Sequence, residues 1–256
     1  MKKLIFALPA LSIILALVSC GGARVPATVT DVSGVFGAKI GAASNDAGSK
    51  YAARYGELYE YASYESMLGD LSAGVIDCAF ADMRVSAKIA KQGRGIRALD
   101  EALFSAELRI AAAKESAGLM NEINAVLAAI REDGTLVRLA EAYVDGKNAE
   151  LPGIPEIAYV TSLRLAVPEE GFLPFSGQDE YGSFTGLDIY LARIICARLG
   201  VELTVLTFPH DQLIDAVRFG KADFAMGGLY DDGNNAELAD FSSPYYTLDM
   251  AVMVRK

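Results

Sequence analysis

Two nearly repeated stretches of this 256-residue chain end at positions suited to ligand binding. They are "LSAGVIDCAFAD", which ends at Asp82, and "VRFGKADFAMGG", which ends at Gly228, and their residues match with an offset of 146 positions (220 − 74). The apolar run in each predicts a buried strand, and open α/β sheets bind ligands outside the carboxyl ends of their strands. Two such edges facing each other would form a cleft. In that cleft the Asp82 carboxylate would bind an ammonium group more strongly than in bulk water.

The sequence offers little for catalysis or for a metal. His210 is the only histidine, there is no Cys-x-x-Cys pair, and no Ser/His/Asp or Cys/His constellation is apparent. We therefore expect no structural zinc, no cofactor and no enzymatic activity. The net charge of −10 argues against nucleic acid or anionic lipid as a partner, because both bind positive patches.

The first twenty residues are typical of an export signal. Lys2 and Lys3 precede the uncharged apolar run 4–18, which is short for a membrane span of about 20 residues. The run ends in "LVSC" followed by two glycines, which resembles the lipobox of bacterial lipoproteins, whose cysteine, here Cys20, carries the lipid. The alternative is an ordinary secretory signal with a chance cysteine. We expect an exported protein, lipid-anchored on the extracytoplasmic face of a membrane.

The rest of the chain alternates between strand and helix patterns, which favours two α/β lobes. Strands are predicted at "AKIGAAS", "VIDCAFAD", "LRLAVP", "VELTVLTF" and "KADFAMGG", with helices between them. The helical stretch 118–143 is predicted to break at Gly134, with Thr135 as the cap of its second helix. Cys78 and Cys196 belong to different repeats, so we expect packed free thiols.

Several motifs resemble one family. Phe-x-Pro-Phe at 172–175, Gly-Leu-Asp at 186–188 and Asp-Phe-Ser-x-Pro-Tyr-Tyr at 240–246 resemble the first lobe of the extracellular solute-binding proteins of polar amino-acid ABC transporters. The segment from "AKIGAAS" to "IDCAFAD" resembles the second lobe, and "REDGTLVRLAEAYV" resembles the helices that normally end the chain. The resemblance implies a type II periplasmic-binding-protein fold, circularly permuted, with the ligand cleft between its lobes. A fusion of two partial domains, or a misjoined gene model, is the alternative.

The predicted organisation follows from this resemblance. It consists of a signal peptide (1–19), a tether (20–34), the family's second lobe (35–107), a hinge strand with closing helices (108–147), a linker (148–161), the first lobe (162–247) and a second hinge strand (248–256).

The resemblance also implies a set of ligand-binding positions. In the first lobe these are the acid Glu169, the stacking aromatic Phe172, a second aromatic position at His210, the strand-end loop at Gly228 and Tyr230, and Asn235; in the second lobe they are Ser44, Asp46 and the ammonium-binding Asp82.

The sequence departs from the family at the carboxylate end of the ligand. Asn235 stands where the family places an arginine, and Asp46 replaces the usual threonine. Because the acids remain, the pattern favours a cationic, amine-bearing solute, although Arg84 offers a substitute clamp. Structural roles stay open as well, since Asp46 and His210 are both suited to capping helices.

The predicted function is that of a lipid-anchored, monomeric solute-binding protein. It would capture an amino acid or related amine by hinge closure and present it to ABC permease and ATPase subunits, with contact to the membrane through its lipid alone. The alternatives are a sensory or scaffolding lipoprotein with a degenerate cleft, and a dehydratase-like enzyme using Glu169 or Glu170.

Overall fold

A computed structural model describes residues 29–44, 47–91, 95–154, 161–231 and 235–256. The predicted lipid site Cys20 and the ligand-binding candidate Asp46 lie outside these ranges. None of the helices in the described ranges combines the length and the apolar content that a membrane crossing requires.

The first half of the chain alternates short strands and helices. Its elements are β1 (Lys39–Ala43), α1 (Ala47–Ala52), β2 (Glu57–Tyr61), α2 (Tyr64–Ala73), β3 (Cys78–Asp82), α3 (Met83–Ala90), β4 (Ile96–Ala98), β5 (Phe104–Leu108), β6 (Ala111–Ala112), α4 (Ala117–Glu132) and α5 (Thr135–Tyr143).

The second half follows the same alternation. Its elements are β7 (Ser162–Pro168), β8 (Gly177–Gln178), β9 (Phe184–Thr185), α6 (Leu187–Leu199), β10 (Glu202–Phe208), α7 (Leu213–Arg218), β11 (Phe224–Ala225), β12 (Asp240–Phe241) and β13 (Tyr246–Arg255).

Two sheets with equivalent strand orders organise the described residues. One runs β2-β1-β3-β13-β4, with β5 also paired to β13, and the other runs β10-β7-β11-β6-β12. In each sheet the first three strands are parallel, and the fourth is antiparallel to its neighbours. We call the first sheet with α1–α3 lobe one, and the second sheet with α4–α7 lobe two. The predicted two-lobe α/β fold class is confirmed.

Each lobe takes its antiparallel strand from the other half of the chain. The chain crosses from lobe one to lobe two between β5 and β6, and it returns between β12 and β13. The two crossings hydrogen-bond to each other, since the Tyr245 amide donates to the Leu108 carbonyl (3.0 Å) and the Ser242 amide to that of Ile110 (2.9 Å). The return crossing therefore precedes 248–256, the segment that the sequence analysis assigned to the hinge.

The twin stretches have matching structures. Gly74 and Gly220 both end a helix in the left-handed region, at φ 75° and 66°, where a side chain would be strained. Asp77 accepts a hydrogen bond from the Lys39 amide (2.9 Å). In the other lobe Asp223 accepts one from the Arg164 amide (2.7 Å). Both aspartates therefore hold neighbouring strands together.

Helices α4 and α5 pack against α6 of lobe two. The predicted cap at Thr135 is wrong, because Gly134 occupies the cap position with φ 76° and Thr135 already begins the helix. The Asp133 carboxylate accepts the hydrogen bond from the Thr135 amide (2.9 Å), which leaves the threonine hydroxyl no capping role. The expected free thiols are confirmed, since Cys78 and Cys196 are both buried and unbridged.

Candidate functional site

The candidate site is the cleft between the lobes, at the carboxyl ends of the parallel strands. Two polar contacts from α1 cross it, the Lys50–Glu170 ion pair and a hydrogen bond from the Arg54 guanidinium to the Tyr230 hydroxyl (3.2 Å). Lys50 and Arg54 lie four residues apart, so they share one face of the chain around the end of α1. Lobe one therefore presents positive charge to the loops of lobe two.

Lys50, Glu170 and His210 form a cluster at the centre of these contacts. The side chains of Lys50 and Glu170 are 19% and 35% exposed. Burial acts to raise the pKa of Glu170, but the hydrogen bond from Lys50 leaves it below its usual value. Burial, together with the Lys50 charge, lowers the pKa of His210. At neutral pH the cluster thus holds one ammonium, one carboxylate and one neutral imidazole.

An aromatic recess lies beside this cluster. The Arg54 guanidinium is 5.3 Å from the centroid of the Tyr51 ring, and the Tyr51 and Tyr230 rings are 6.3 Å apart. The recess has a volume of about 220 Å³ and is lined by Tyr51, Arg54, Tyr55, Phe104, Ser105, Ala106 and Tyr230. Residues of both lobes line this recess.

Phe172 is covered in this conformation. Only 1% of it is exposed, and its ring stacks on Phe175 with the centroids 5.1 Å apart. A Cβ atom at Gly228 would lie 2.7 Å from the Phe172 ring, so this close approach of loop to ring requires glycine. The structure therefore brings the predicted site residues Phe172 and Gly228 into direct contact.

Asp82 is bound on both carboxylate oxygens. It is 2% exposed, Oδ1 accepts from the Arg84 amide as the cap of α3 (2.7 Å), and Oδ2 accepts from the Tyr246 hydroxyl (2.8 Å). Burial raises its pKa. Asp82 thus ties the end of β3 to the start of β13, and in this conformation it presents no free oxygen to an ammonium group.

Arg84, the suggested substitute clamp, is engaged across the lobes. Its Nε and Nη2 atoms each donate to Asp145, both at 2.6 Å. Asp145 follows α5 and therefore moves with lobe two. The bond from Arg84 lowers the pKa of Asp145, so this bidentate pair is a further link between the lobes.

Two larger cavities border the cleft. The first, of about 530 Å³, lies between the lobes and is lined by Ala43, Ser44, Ala62, Ser63, Tyr64, Glu65, Leu68, Val85, Lys88, Ile89, Tyr143, Val144, Leu173 and Pro174. The second, of about 360 Å³, belongs to lobe two and is lined by Val167, Pro168, Glu169, Glu170, Gly171, Leu173, Gly177, Gln178, Phe184 and Thr207. Such volumes suit small molecules.

The predicted site residues divide among these features. Ser44 lines the larger cavity and Glu169 the smaller one, whereas Asn235 begins a 3₁₀ turn, where its carbonyl accepts from the amides of residues 238 and 239. Lys50 and Arg54 were not predicted as site residues. The sequence signal that could have identified them is their four-residue spacing in the segment after β1.

The double crossing and the facing strand ends define a two-lobe α/β fold of the type II periplasmic-binding-protein class. Residues 163–256 match the family model of bacterial extracellular solute-binding proteins, family 3. The match covers 94 of the 256 residues (256 − 163 + 1), from β7 to the end of β13.

Curated proteins show the same partial similarity. A probable histidine-binding protein of Neisseria gonorrhoeae is 30% identical over 112 residues, which are 43% of this chain and 40% of that protein. The arginine-binding periplasmic protein of Mannheimia haemolytica is 28% identical over 92 residues, which are 36% of this chain and 39% of that protein. The chain thus spans about 40% of the length of these curated relatives.

Solved structures give partial overlaps. The arginine-bound form of domain 1 from TmArgBP is 31% identical, covers 37% of this chain and 80% of that chain, and has a TM-score of 0.33. The ancestral amino acid-binding protein AncCDT-1, a precursor of cyclohexadienyl dehydratase, is 10% identical, with coverages of 85% and 81% and a TM-score of 0.40.

Proposed function

We propose that this protein is an extracytoplasmic solute-binding protein that closes over an amino acid or a related amine. The observation that carries the proposal is the double crossing between two lobes whose facing strand ends bear complementary charges. Such a hinge lets a ligand shift the population of open and closed forms through its higher affinity for the closed one. Binding, rather than bond breaking, would be the whole of its chemistry.

The chain order supports a circular permutation. Strands β1 to β6 and helices α1 to α5 precede the rest of lobe two in sequence, yet the pieces give two sheets of equivalent strand order. The family match begins at residue 163, within β7, and not at the beginning of the chain. We infer that a linker at 148–161 joins what are the two ends of the chain in the unpermuted family.

In this proposal the solute lies between the lobes, near Ser44, Glu169, His210 and Tyr230. Phe172 would form the apolar wall once the cleft opens, and Gly228 would let the strand-end loop approach it. Asp46, Asn235 and Asp82 complete the proposed ligand-binding set. A partly buried cleft with acids on one wall favours an amine-bearing solute.

A thermal-shift screen of the purified protein against amino acids, polyamines and other amines tests the proposal. A ligand should raise the melting temperature of the wild-type protein, and Phe172→Ala and Asp82→Ala should each remove most of that ligand-induced shift. Each variant is compared with its own ligand-free melting temperature, because both residues are buried. Phe219→Ala is the control, since this side chain is 64% exposed at the far corner of lobe two. A ligand whose shift survives both changes would refute the cleft assignment.

We further propose that Cys20 carries a lipid anchor and that the loaded protein docks on an ABC permease. Cells expressing the full chain should incorporate labelled palmitate into the protein, and Cys20→Ser should abolish both the label and membrane association. Release of the wild-type protein into the soluble fraction, without label, would instead indicate an ordinary cleaved signal.

A further inference from the structure

The cleft contains an amine of its own. Lys50 projects from α1 of lobe one, and its ammonium group pairs with Glu170, which follows β7 in lobe two. Of the acids at this edge, Asp82 has both oxygens bonded, while Glu170 already binds an ammonium group. An ion pair with 19% and 35% exposed side chains is screened less than one on the open surface.

We propose that Lys50 is a specificity-determining residue that occupies the amine subsite on Glu170 until a solute displaces it. The inference rests on the proposed function and adds Glu170 to Asp82 as a second proposed acceptor for the ammonium group of the solute. The Lys50–Glu170 pair links the two lobes, as do the Arg54–Tyr230 and Arg84–Asp145 contacts. Binding then exchanges one ion pair for another.

The exchange favours solutes that carry both charges. A simple amine that binds Glu170 leaves the Lys50 ammonium unpaired in the cleft. The Lys50–Glu170 ion pair is then lost when the pair between the amine and Glu170 forms. A solute with an ammonium and a carboxylate can bind Glu170 with the first and Lys50 with the second. Lys50, with Arg54 nearby, would thus supply the carboxylate clamp that Asn235 cannot provide.

The charges around the pair fit this role. His210 faces both members, and its lowered pKa keeps it neutral at pH 7, so it does not compete with Lys50 for Glu170. On the lobe-one side, Arg54 is held by the Tyr230 hydroxyl and the Tyr51 ring. Lys50 is therefore the cation that pairs with Glu170 in the described structure.

The first test needs no ligand. Lys50→Met keeps most of the length of the side chain and removes its charge, and Lys91→Met is the control, because Lys91 is exposed at the end of α3 in the same lobe. We expect the ligand-free Lys50→Met protein to have a larger radius of gyration by small-angle X-ray scattering, and Glu170→Gln to give the same increase, while Lys91→Met matches the wild type. Equal radii for Lys50→Met and wild type would overturn the proposal, whether or not any ligand is known.

The second test measures selectivity by calorimetry with two matched pairs of probes, L-histidine against histamine and L-arginine against agmatine. Wild type should prefer the member that has a carboxylate, and Lys50→Met should reduce that preference about 10-fold, the usual effect of a charged hydrogen bond. An unchanged preference in Lys50→Met would overturn the proposal and leave the proposed function standing. If wild type bound none of the probes, the proposed function would fail for amino acids, and the scattering comparison alone would decide the role of Lys50.

Discussion

At the scale of single residues, Asp188 stands apart from the other acids. It lies in the first turn of α6 and is completely buried. Neither of its oxygens completes a hydrogen bond within the described residues, and nor does the nearby Tyr245 hydroxyl. Burial raises the pKa of Asp188 to about 7, although Tyr245 and the Gly227 amide lie close enough to oppose the shift. A buried carboxyl group that is about half protonated at neutral pH thus lies beneath the strand-end loop of lobe two.

This environment predicts a pH-dependent stability. Because the pKa of Asp188 is raised on folding, its protonated form stabilises the folded state below about pH 4, and that contribution is lost as the pH rises to about 7. Asp188→Asn, which stays neutral, should lack this loss and gain ~3 kcal/mol relative to wild type between pH 4 and pH 8. Urea unfolding of both proteins across this range measures the difference. A constant difference between the two curves would show that Asp188 titrates normally.

Single residues were predictable where their role is local. Asp77 and Asp223 occupy matching positions beside strand starts, and both accept a hydrogen bond from the amide of a neighbouring strand. The Lys50–Glu170 pair joins residues 120 positions apart, so no spacing in the sequence points to it. Asp82 was predicted to bind a ligand. Its role as the cap of α3 could also have been predicted, because a helix begins at the next residue.

At the scale of elements, substitutions of Asp77 and Asp223 test which contacts hold neighbouring strands of each sheet together. The Asp77 side chain accepts the Lys39 amide at the start of β1 and is 2% exposed. Asp77→Ala should lower the free energy of unfolding by about 1 kcal/mol, because it removes the hydrogen bond from the partly buried Lys39 amide. Asp223→Ala should act similarly and also release the Arg164 guanidinium. The measurement is the midpoint of urea unfolding.

The matched control is Asp100→Ala, since this aspartate is exposed and its loss should change stability by no more than about 0.5 kcal/mol. If Asp77→Ala behaved like this control, the bond to Lys39 would contribute nothing and the twin stretches would share only their helix-ending glycines.

Element positions followed from periodicity, but their lengths did not. The helix α6 begins and ends as its apolar spacing and Gly200 indicate. The strand predicted at "KADFAMGG" shortens to the two residues of β11, because the chain turns through Gly227 and Gly228 at positive φ. Glycine can adopt a positive φ and other residues rarely do. The two glycines therefore permit a turn at this position, but the sequence alone does not require one.

At the scale of the whole molecule, the pairing of the halves was not visible from either half alone. The sequence pattern of β13 predicts an apolar strand that follows β12 in the same sheet. Its partners β3, β4 and β5, however, all lie in the first half of the chain. Likewise β6 reaches from the first half to separate β11 from β12. Only the resemblance to a permuted binding protein implied two crossings, since local patterns do not encode which sheet a strand joins.

This exchange of strands between the two halves of the chain predicts that neither half folds alone, even though residues 163–256 match a family model by themselves. An isolated 161–256 fragment lacks β6, so β11 and β12 lose their shared neighbour, and it leaves the largely buried β13 without a partner strand. Exposed, unpaired apolar strands favour association. We expect the fragment to aggregate or to melt without a cooperative transition, as followed by circular dichroism.

Co-expression with 29–154 should restore a soluble complex that melts as one unit, because the second chain supplies β3 to β6. A sharp, reversible transition of the 161–256 fragment alone would mean that lobe two is complete without the crossing strands, and the hinge would then have to be sought elsewhere.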